Sequence, residues 1–278
     1  MVSRKVSLIS STAALLALLS LVAVPAFAQA QAGAQGVART ADGKPDLSGI
    51  WQVRNTAWGD LEDHPARLGD GNSARTFVPA GLSVVEGGTI PYTPAGLATR
   101  RANMAKQAEL DPMGKCYMPG PVRLMYLPLP FQIFQTPKYL AVVSEYSHSW
   151  RILYTDGSTH LEGIEFWMGD SRARWEGDTL VVDVRNLNDK TWFDLAGNHH
   201  SADVHIVERF TRMNANILQY EATIEDPKVF TKPWKISMPI YRLQPTERDR
   251  ILEYECAVLQ EEAAGTFVDL PEEPSVQR

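Results

Sequence analysis

Histidines concentrate in the second half of this chain. Five of its six histidines lie between His148 and His205, and three of these fall in the segment that starts at Asp194, namely His199, His200 and His205. Histidine acts as an acid, a base or a metal ligand because its ordinary pKa lies near neutrality. Acid and base groups tend to cluster at functional sites. The segment therefore predicts a site of acid–base chemistry.

A second group of reactive residues precedes this segment. His148 stands in a predicted turn, Arg151 and Tyr154 on the strand that follows, and His160 in the loop beyond. A histidine beside a carboxylate can take and return a proton while an arginine holds an anionic group. An ordinary hairpin end with a stacked tryptophan and a surface arginine explains the same residues equally well.

Together the two groups give a predicted catalytic set. The predicted proton-transfer groups are His148, His160, His200 and His205. Asp170 or Asp194 is expected to fix a histidine tautomer, and Arg151 and Tyr154 to orient the substrate. Any one of these histidines, taken singly, is better explained as a structural residue, so the prediction depends on the cluster.

Aromatic residues flank a glycine between Trp167 and Trp175. A flat aromatic wall beside a glycine can receive a sugar or an aromatic ring, so Trp167 and Arg172 join the predicted substrate-binding residues. Tryptophans at this spacing are often simple core residues. Gly169-Asp170-Ser171 lacks the second glycine and the strand-to-helix turn of a nucleophile elbow, which disfavours a serine hydrolase.

The histidine segment also contains the ligand types that zinc prefers. However, adjacent histidines of an extended segment point to opposite faces, and the helical HExxH spacing is missing. We therefore predict neither a metal nor any other cofactor, and a small molecule as the substrate or ligand. The net charge of −6 disfavours nucleic acid as a partner, because no basic stripe is present to neutralise phosphates.

The N-terminus has the three parts of a secretory signal peptide. Arg4 and Lys5 precede an apolar run, which ends at the small-residue cleavage site Ala26-Phe27-Ala28. We predict a signal peptide over residues 1–28, a periplasmic or secreted protein, and no membrane span after cleavage; a membrane anchor is the alternative.

The two cysteines of an exported protein meet an oxidising compartment. Cys116 and Cys256 are therefore expected to form a disulfide.

The remaining chain is predicted to be one β-domain. After a disordered leader (29–44) and a long irregular excursion (54–91), one helix capped by Thr93 is expected over Pro94–Leu110. From Val122 the sequence alternates apolar and polar residues with short turns, as in antiparallel sheets, and the predicted strands run from Val122–Leu127 to Ile251–Val258. We predict an antiparallel meander closed into a lipocalin-like barrel over residues 45–260, with a flexible tail over 261–278; a two-sheet sandwich is the alternative.

Several motifs resemble those of a widespread group of exported bacterial proteins with lipocalin-like β-barrels. The resemblance covers most of the mature chain, and the motifs are Asp46-Leu47-Ser48-Gly49-Ile50-Trp51, Tyr154-Thr155-Asp156-Gly157, Trp175 to Asp183, Asn188-Asp189-Lys190-Thr191-Trp192, His200-Ser201, Glu208-Arg209-Phe210 and Ile224-Glu225-Asp226-Pro227. The resemblance implies a secreted β-barrel and assigns no catalytic residues.

These patterns lead to two functional hypotheses. The first is an enzyme, a lyase or hydrolase, that acts on a small polar or aromatic or glycan-derived substrate by histidine acid–base chemistry. The second is a periplasmic carrier that holds a small ligand in the barrel lumen. The enzyme hypothesis predicts that His200 and His205 meet His148 or His160 at one mouth of the barrel. Histidines outside an apolar lumen favour the carrier.

Overall fold

The computed structural model describes residues 36–68, 77–147 and 149–257, and nine of the strands in these residues form a closed barrel. In chain order the strands are β1 (Gly49–Gln52), β2 (Arg67–Leu68), β3 (Phe77–Val78), β4 (Phe131–Gln135), β5 (Tyr139–Ser144), β6 (Trp150–Tyr154), β7 (Asp170–Glu176), β8 (Thr179–Arg185), β9 (His205–Arg212), β10 (Ile217–Glu225) and β11 (Trp234–Arg242). β2 and β3 pair separately from the barrel.

The predicted all-β barrel is confirmed. Strands β4 to β11 follow one another around the wall, and β1 closes the barrel between β11 and β4. The pairs are antiparallel except β6 with β7, which run parallel. The long loop over residues 155–169 makes this exception possible, because parallel neighbours need a connection that returns the chain to the starting end.

Side chains alternate between the barrel interior and the outer wall along each strand. β10 shows the predicted alternation, with Leu218, Tyr220, Ala222 and Ile224 all buried and the residues between them partly exposed. Its neighbour β9 alternates in the same way, and the next strand β8 does so except at the buried Val181. This register decides which candidate residues face the interior and which face solvent.

Two segments predicted as strands have other structures. Val122–Leu127 instead begins inside a short helix, α3 (Pro121–Leu124), whose side chains are all buried. Pro121 favours this outcome because its fixed φ suits the first helical turn. In the segment predicted as strand Ile251–Val258, residues 251–257 contain an isolated bridge at Tyr254 and turn helical at residues 256–257, and β1 takes the closing position in the barrel.

The predicted helix over Pro94–Leu110 is present as α1 (Pro94–Ala105) and α2 (Gln107–Leu110). Thr93 caps it as expected, since its hydroxyl accepts a hydrogen bond from the Gly96 amide at 3.0 Å. None of the helices in the described residues is long and apolar enough to cross a membrane.

Side chains occupy the interior of the barrel. At β1 the Trp51 indole donates to the Leu47 carbonyl at 3.0 Å, while the guanidinium groups of Arg212 and Arg242 lie 5.3 and 6.0 Å from its ring centroids. Elsewhere α3 and the residues that follow it are buried, and the Arg151 guanidinium donates to the Pro121 carbonyl. The interior is therefore closed by packed aromatic and polar side chains.

The predicted disulfide between Cys116 and Cys256 is present, with a Cα separation of 5.4 Å. It joins the end of a 3₁₀-helix (Pro112–Lys115), which lies between β1 and β4 in the chain, to the segment after β11. The predicted signal peptide (1–28) and flexible tail (261–278) lie outside the described residues. Part of the predicted disordered leader differs from expectation: within residues 36–44, Arg39 forms an ion pair with Asp178 on the barrel.

Candidate functional site

Two predicted catalytic histidines meet on one carboxylate. Nε2 of His160 lies 3.0 Å from Oδ1 of Asp183, and Nε2 of His205 lies 3.2 Å from Oδ2 of the same residue. His160 comes from the loop between β6 and β7, Asp183 from β8 and His205 from the start of β9. All three side chains are about one-quarter exposed, so the cluster is open to solvent on the outer wall of the barrel.

The two histidines differ in their second nitrogen. Nδ1 of His160 lies 3.1 Å from Oδ2 of Asp170, so both of its ring nitrogens contact carboxylates. Both contacts are hydrogen bonds only when the ring carries two protons. Nδ1 of His205 faces Glu225 at 3.9 Å, beyond hydrogen-bond distance. His160 thus contacts carboxylates through both ring nitrogens, whereas His205 is within hydrogen-bond distance of a carboxylate through Nε2 only.

Asp183 is held in its ionised form. Burial by itself raises the pKa of this carboxyl, but hydrogen bonds from His205 and His160, with the charge of Arg185, outweigh burial and lower the pKa below its ordinary value. Arg185 donates to Oδ1 of Asp183 at 3.0 Å. A stable carboxylate between two rings fixes their orientation and compensates a positive charge on either one.

Three more predicted residues extend the cluster: Asp170, which was predicted to fix a histidine tautomer, and Arg172 and Tyr154, which were predicted to bind substrate. Arg172 forms an ion pair with Asp170 at 2.8 Å and donates to the Ser158 hydroxyl at 2.6 Å. Its guanidinium lies 4.8 Å from the centroid of the Tyr154 ring. A predicted acid–base pair and a predicted binding pair therefore share one surface.

Local sequence explains this placement. In β8, Leu180, Val182 and Val184 are buried, so Asp183 falls on the outer face by alternation. The loop that carries His160 returns to β7 through Gly169 at φ +65°, where a Cβ atom would come within 2.6 Å of side-chain carbons of Val184 and Leu187. Only glycine allows this close approach to the wall.

An open groove lies on the same wall beyond His205. It encloses about 490 Å³ and is lined by Glu86, Gly87, Thr89, Pro91, Thr223, Lys232, Pro233, Trp234 and Lys235. Glu225 is the register partner of His205, and Thr223 lies two residues from Glu225 on the same face, or about 7 Å along the strand. The groove therefore begins on the strand next to His205, and its volume can hold a small polar molecule.

His200 does not join His205, contrary to the prediction. It is buried, and its ring nitrogens bond within its own loop, to the Thr191 hydroxyl at 2.7 Å and the Ser201 carbonyl at 2.9 Å. Burial lowers the pKa of His200 and keeps the ring neutral, despite its hydrogen bond to Ser201. Its side chain is a structural part of the loop, because an interior position removes it from solvent.

Asp194 does not fix a histidine tautomer. Its carboxyl group accepts hydrogen bonds from the amides of Leu61, Ala196 and Asn198 and from the Asn198 side chain, all in the protein interior. Burial and the nearby Asp60 carboxylate raise the pKa of Asp194 to about 7. This carboxyl group anchors the N-terminal excursion to the loop after β8.

Arg151 points inward instead of toward the wall site. It forms a bidentate ion pair with Glu208, and it donates to the Ser171 hydroxyl at 3.1 Å. The Tyr220 hydroxyl donates to Glu208 at 2.8 Å, and all four residues are buried. The predicted substrate-orienting role therefore conflicts with the position of Arg151 inside the barrel.

The last two predicted residues are Trp167 and His148. Trp167 stacks on Tyr117 with a centroid distance of 4.9 Å, which explains it by packing. His148 lies outside the described residues. The sixth histidine of the chain, His64, is buried, and its Nδ1 lies 2.9 Å from the Glu62 carbonyl.

Sequence reasoning missed Asp183, which is the centre of the cluster. A signal was present, since Asp183 interrupts an otherwise apolar run in β8. Its histidine partners are distant in sequence, and only the barrel register brings them to it. Glu208 was also missed; it lies on the buried face of β9 between Ile206 and Phe210.

Comparison of the chain with protein-family models, with curated proteins and with solved structures gave no significant match.

Proposed function

We propose that this protein is an exported enzyme that transfers protons on a small polar, aromatic or glycan-derived substrate at the His160–Asp183–His205 cluster. The observation that carries the proposal is the shared carboxylate: one ionised aspartate orients two histidines from different elements on an exposed surface. The reaction class is that of a lyase or a hydrolase, in which one group removes a proton and another delivers one.

The two histidines have complementary roles in this proposal. His160, held between Asp170 and Asp183, is the acid, because its contacts suit the doubly protonated ring. His205 is the base, because its bond to Asp183 leaves Nδ1 able to accept a proton. Pairs of groups whose surroundings favour opposite protonation states are typical of acid–base sites. Arg185 lies beside them and is half exposed, so it can hold an anionic group.

The alternative function, a carrier that holds a small ligand in the barrel lumen, is less well supported by this geometry. His160 and His205 are on the outer wall, as a carrier predicts, but the described interior is occupied by the Arg151–Glu208 pair and by close-packed apolar side chains. A ligand would have to displace a buried ion pair, which is strongly destabilising when one partner is left alone. The open groove beside His205 offers space for a substrate without such a change.

Turnover by the purified protein tests the proposal. A panel of neutral and acidic oligosaccharides and aromatic esters is incubated with the protein, and products are identified by chromatography and mass spectrometry. For any substrate converted, His160→Gln and His205→Gln are expected to lower the rate at least 100-fold, since general acid–base catalysis contributes about 10²–10⁴-fold. Glutamine keeps a hydrogen bond to Asp183 but cannot transfer the proton.

His199→Gln is the matched control, because His199 is half-buried and stacks on Tyr92 at 5.9 Å, outside the cluster. Its rate is expected to stay within about twofold of the native rate, as expected for a group that transfers no proton. Full turnover by both cluster variants would overturn the assignment of these histidines.

A further inference from the structure

The outer face of β4, β5 and β6 is apolar and open to solvent. Four aromatic side chains on it are 38–55% exposed: Phe134, Tyr139, Trp150 and Tyr154. The other outward-facing residues of these strands are uncharged as well, namely Gln132, Ala141, Val143 and Ile152. Contiguous apolar patches on the surface of a folded protein mark interaction sites. We call these residues the aromatic face.

Strand register joins the aromatic face to the histidine cluster. Tyr139 is opposite Tyr154, Tyr154 is opposite Arg172, and Arg172 is opposite Asp183. These four residues form one row across four neighbouring strands on the outer wall. Because neighbouring strands lie about 4.8 Å apart, the row spans roughly 14 Å from the aromatic face to the cluster.

The size of the face argues against a second copy of the chain. An aromatic side chain has about 150–250 Å² to bury, so four half-exposed ones offer roughly 400 Å². A stable protein interface takes about 800 Å² from each partner. The missing charge argues equally against a polyanion or an anionic membrane surface, because no outward residue of these strands carries a positive charge.

A neutral, narrow and repetitive partner fits these properties. Tyrosine and tryptophan combine a flat apolar ring with a polar group at its edge, so they can contact both the C–H face and the hydroxyls of a sugar ring. We infer that the aromatic face binds a neutral glycan chain and leads it along the Tyr139–Tyr154–Arg172 row to the histidine cluster. The inference rests on the proposed function only for the reaction at the end of that row; the binding is independent of it.

Native gels that contain a soluble glycan test the binding. The mature chain is run through gels with laminarin, xyloglucan or soluble starch as neutral glycans, and with polygalacturonate as an anionic comparison. We expect at least one neutral glycan to retard the protein. The double variant Tyr139→Ala/Trp150→Ala is expected to weaken that retardation at least tenfold in apparent dissociation constant.

Phe77→Ala is the matched control, since Phe77 is an equally exposed aromatic residue on β3, outside the barrel wall. It is expected to be retarded like the native protein. Thermal unfolding of each variant shows whether it is folded, and sedimentation shows its oligomeric state. Two single variants, Tyr139→Ala and Trp150→Ala, replace the double variant if it fails to fold.

The inference is overturned by any of three results. These are retardation by polygalacturonate alone or by no glycan, equal retardation of the folded native and double-variant proteins, and a native dimer that the double variant loses. Retardation without turnover of the bound glycan leaves the inference intact and counts against the proposed function instead. His160→Gln separates the two further, because it should be retarded normally while turnover is lost.

Discussion

Arg172 lies directly opposite Asp183 in the register of β7 and β8, yet it gives its hydrogen bonds to Asp170 and Ser158. The carboxylate of Asp183 thus remains available to the two histidines. Arg172 in turn covers the ring of Tyr154 and so connects the cluster with the aromatic face. One cross-strand pair therefore lies between the histidine cluster and the aromatic face on the same surface.

Replacement of Asp183 by asparagine should remove a pH-dependent contribution to stability. The folded-state pKa of Asp183 is lowered, so its contribution is present above the ordinary carboxyl pKa and is lost as the pH falls through the folded-state value. We expect Asp183→Asn to lower the free energy of unfolding by about 1 kcal/mol at pH 7, a typical size for a partly exposed ion pair. Urea unfolding at pH 7 and pH 3 checks this, and an equal loss at both values contradicts it.

Asp194 should make the protein less stable as the pH rises toward neutrality. Its folded-state pKa of about 7 is above its ordinary value of 3.8, so the folded state binds more protons between these values. The free energy of unfolding should then fall by up to about 1.4 kcal/mol per pH unit across this window from this group alone.

Asp60→Asn tests the origin of that slope, because it removes the neighbouring charge that helps to raise the pKa of Asp194. We expect a shallower fall in the free energy of unfolding between pH 4 and pH 7 than in the native protein. The slope is the quantity to compare, since the variant also loses the ion pair of Asp60 with Arg100 and starts from a lower stability. An unchanged slope would show that Asp60 has no electrostatic effect on Asp194.

The contribution of His200 to stability should change with pH in the opposite direction to that of Asp194. Its pKa is lowered by burial, so its contribution to stability is present above pH 6.5 and is lost as the pH falls through the folded-state value. We expect His200→Gln to cost about 1–3 kcal/mol at pH 8, because two buried hydrogen bonds are disturbed. The difference from the native protein should shrink at pH 5. A constant difference across this range would mean that the ring does not stay neutral in the folded state.

The buried pair of Arg151 and Glu208 should show strong coupling. Glu208→Gln leaves the Arg151 cation without its charged partner in the interior, which costs about 3–5 kcal/mol. Arg151→Met combined with Glu208→Gln should be less destabilised than the sum of the two single variants, because neither charge remains. Chemical unfolding of all four proteins gives the coupling energy directly, and simple additivity counts against a buried ion pair.

The disulfide should be a major source of stability. Cys116 and Cys256 are 140 residues apart, and closing a loop of this length is worth about 4–5 kcal/mol in chain-entropy models. A reducing agent should therefore lower the midpoint of urea unfolding markedly. The double variant Cys116→Ser/Cys256→Ser should begin at the lower midpoint and no longer respond to the reducing agent. A native protein that unfolds equally with and without reduction contradicts this expectation.

Alternation along the chain was sufficient to predict the barrel. The apolar and polar residues of β10 decide its two faces, and short turns leave little choice for the neighbour of each strand. The strand prediction was wrong for Val122–Leu127. A short buried helix and a buried strand both consist of mainly apolar residues, so the sequence pattern does not distinguish them. The pairing of the cysteines also followed from their number and the expected compartment.

The site could be predicted only in part, because residue type does not give direction. His160, His205, Asp170, Arg172 and Tyr154 were identified, and the structure brings them to one surface. Arg151 and Asp194 have equally suitable chemistry, yet both are turned into the interior. Arg151 lies between the outward-facing Trp150 and Ile152, so the alternation of the strand turns it inward. Asp194 lies in a loop that packs against the N-terminal excursion and is buried there.

By itself the sequence determined the strand pattern, the capped helix, the disulfide and the residue types available for acid–base chemistry, since each depends on local spacing or composition. Only the tertiary structure decided that Asp183 joins His160 to His205, because those contacts arise from the register between distant strands and from a loop that packs through Gly169. The alternation of apolar and polar residues decides which face of a strand a residue occupies. The closure of the barrel decides which residues of other strands lie next to it.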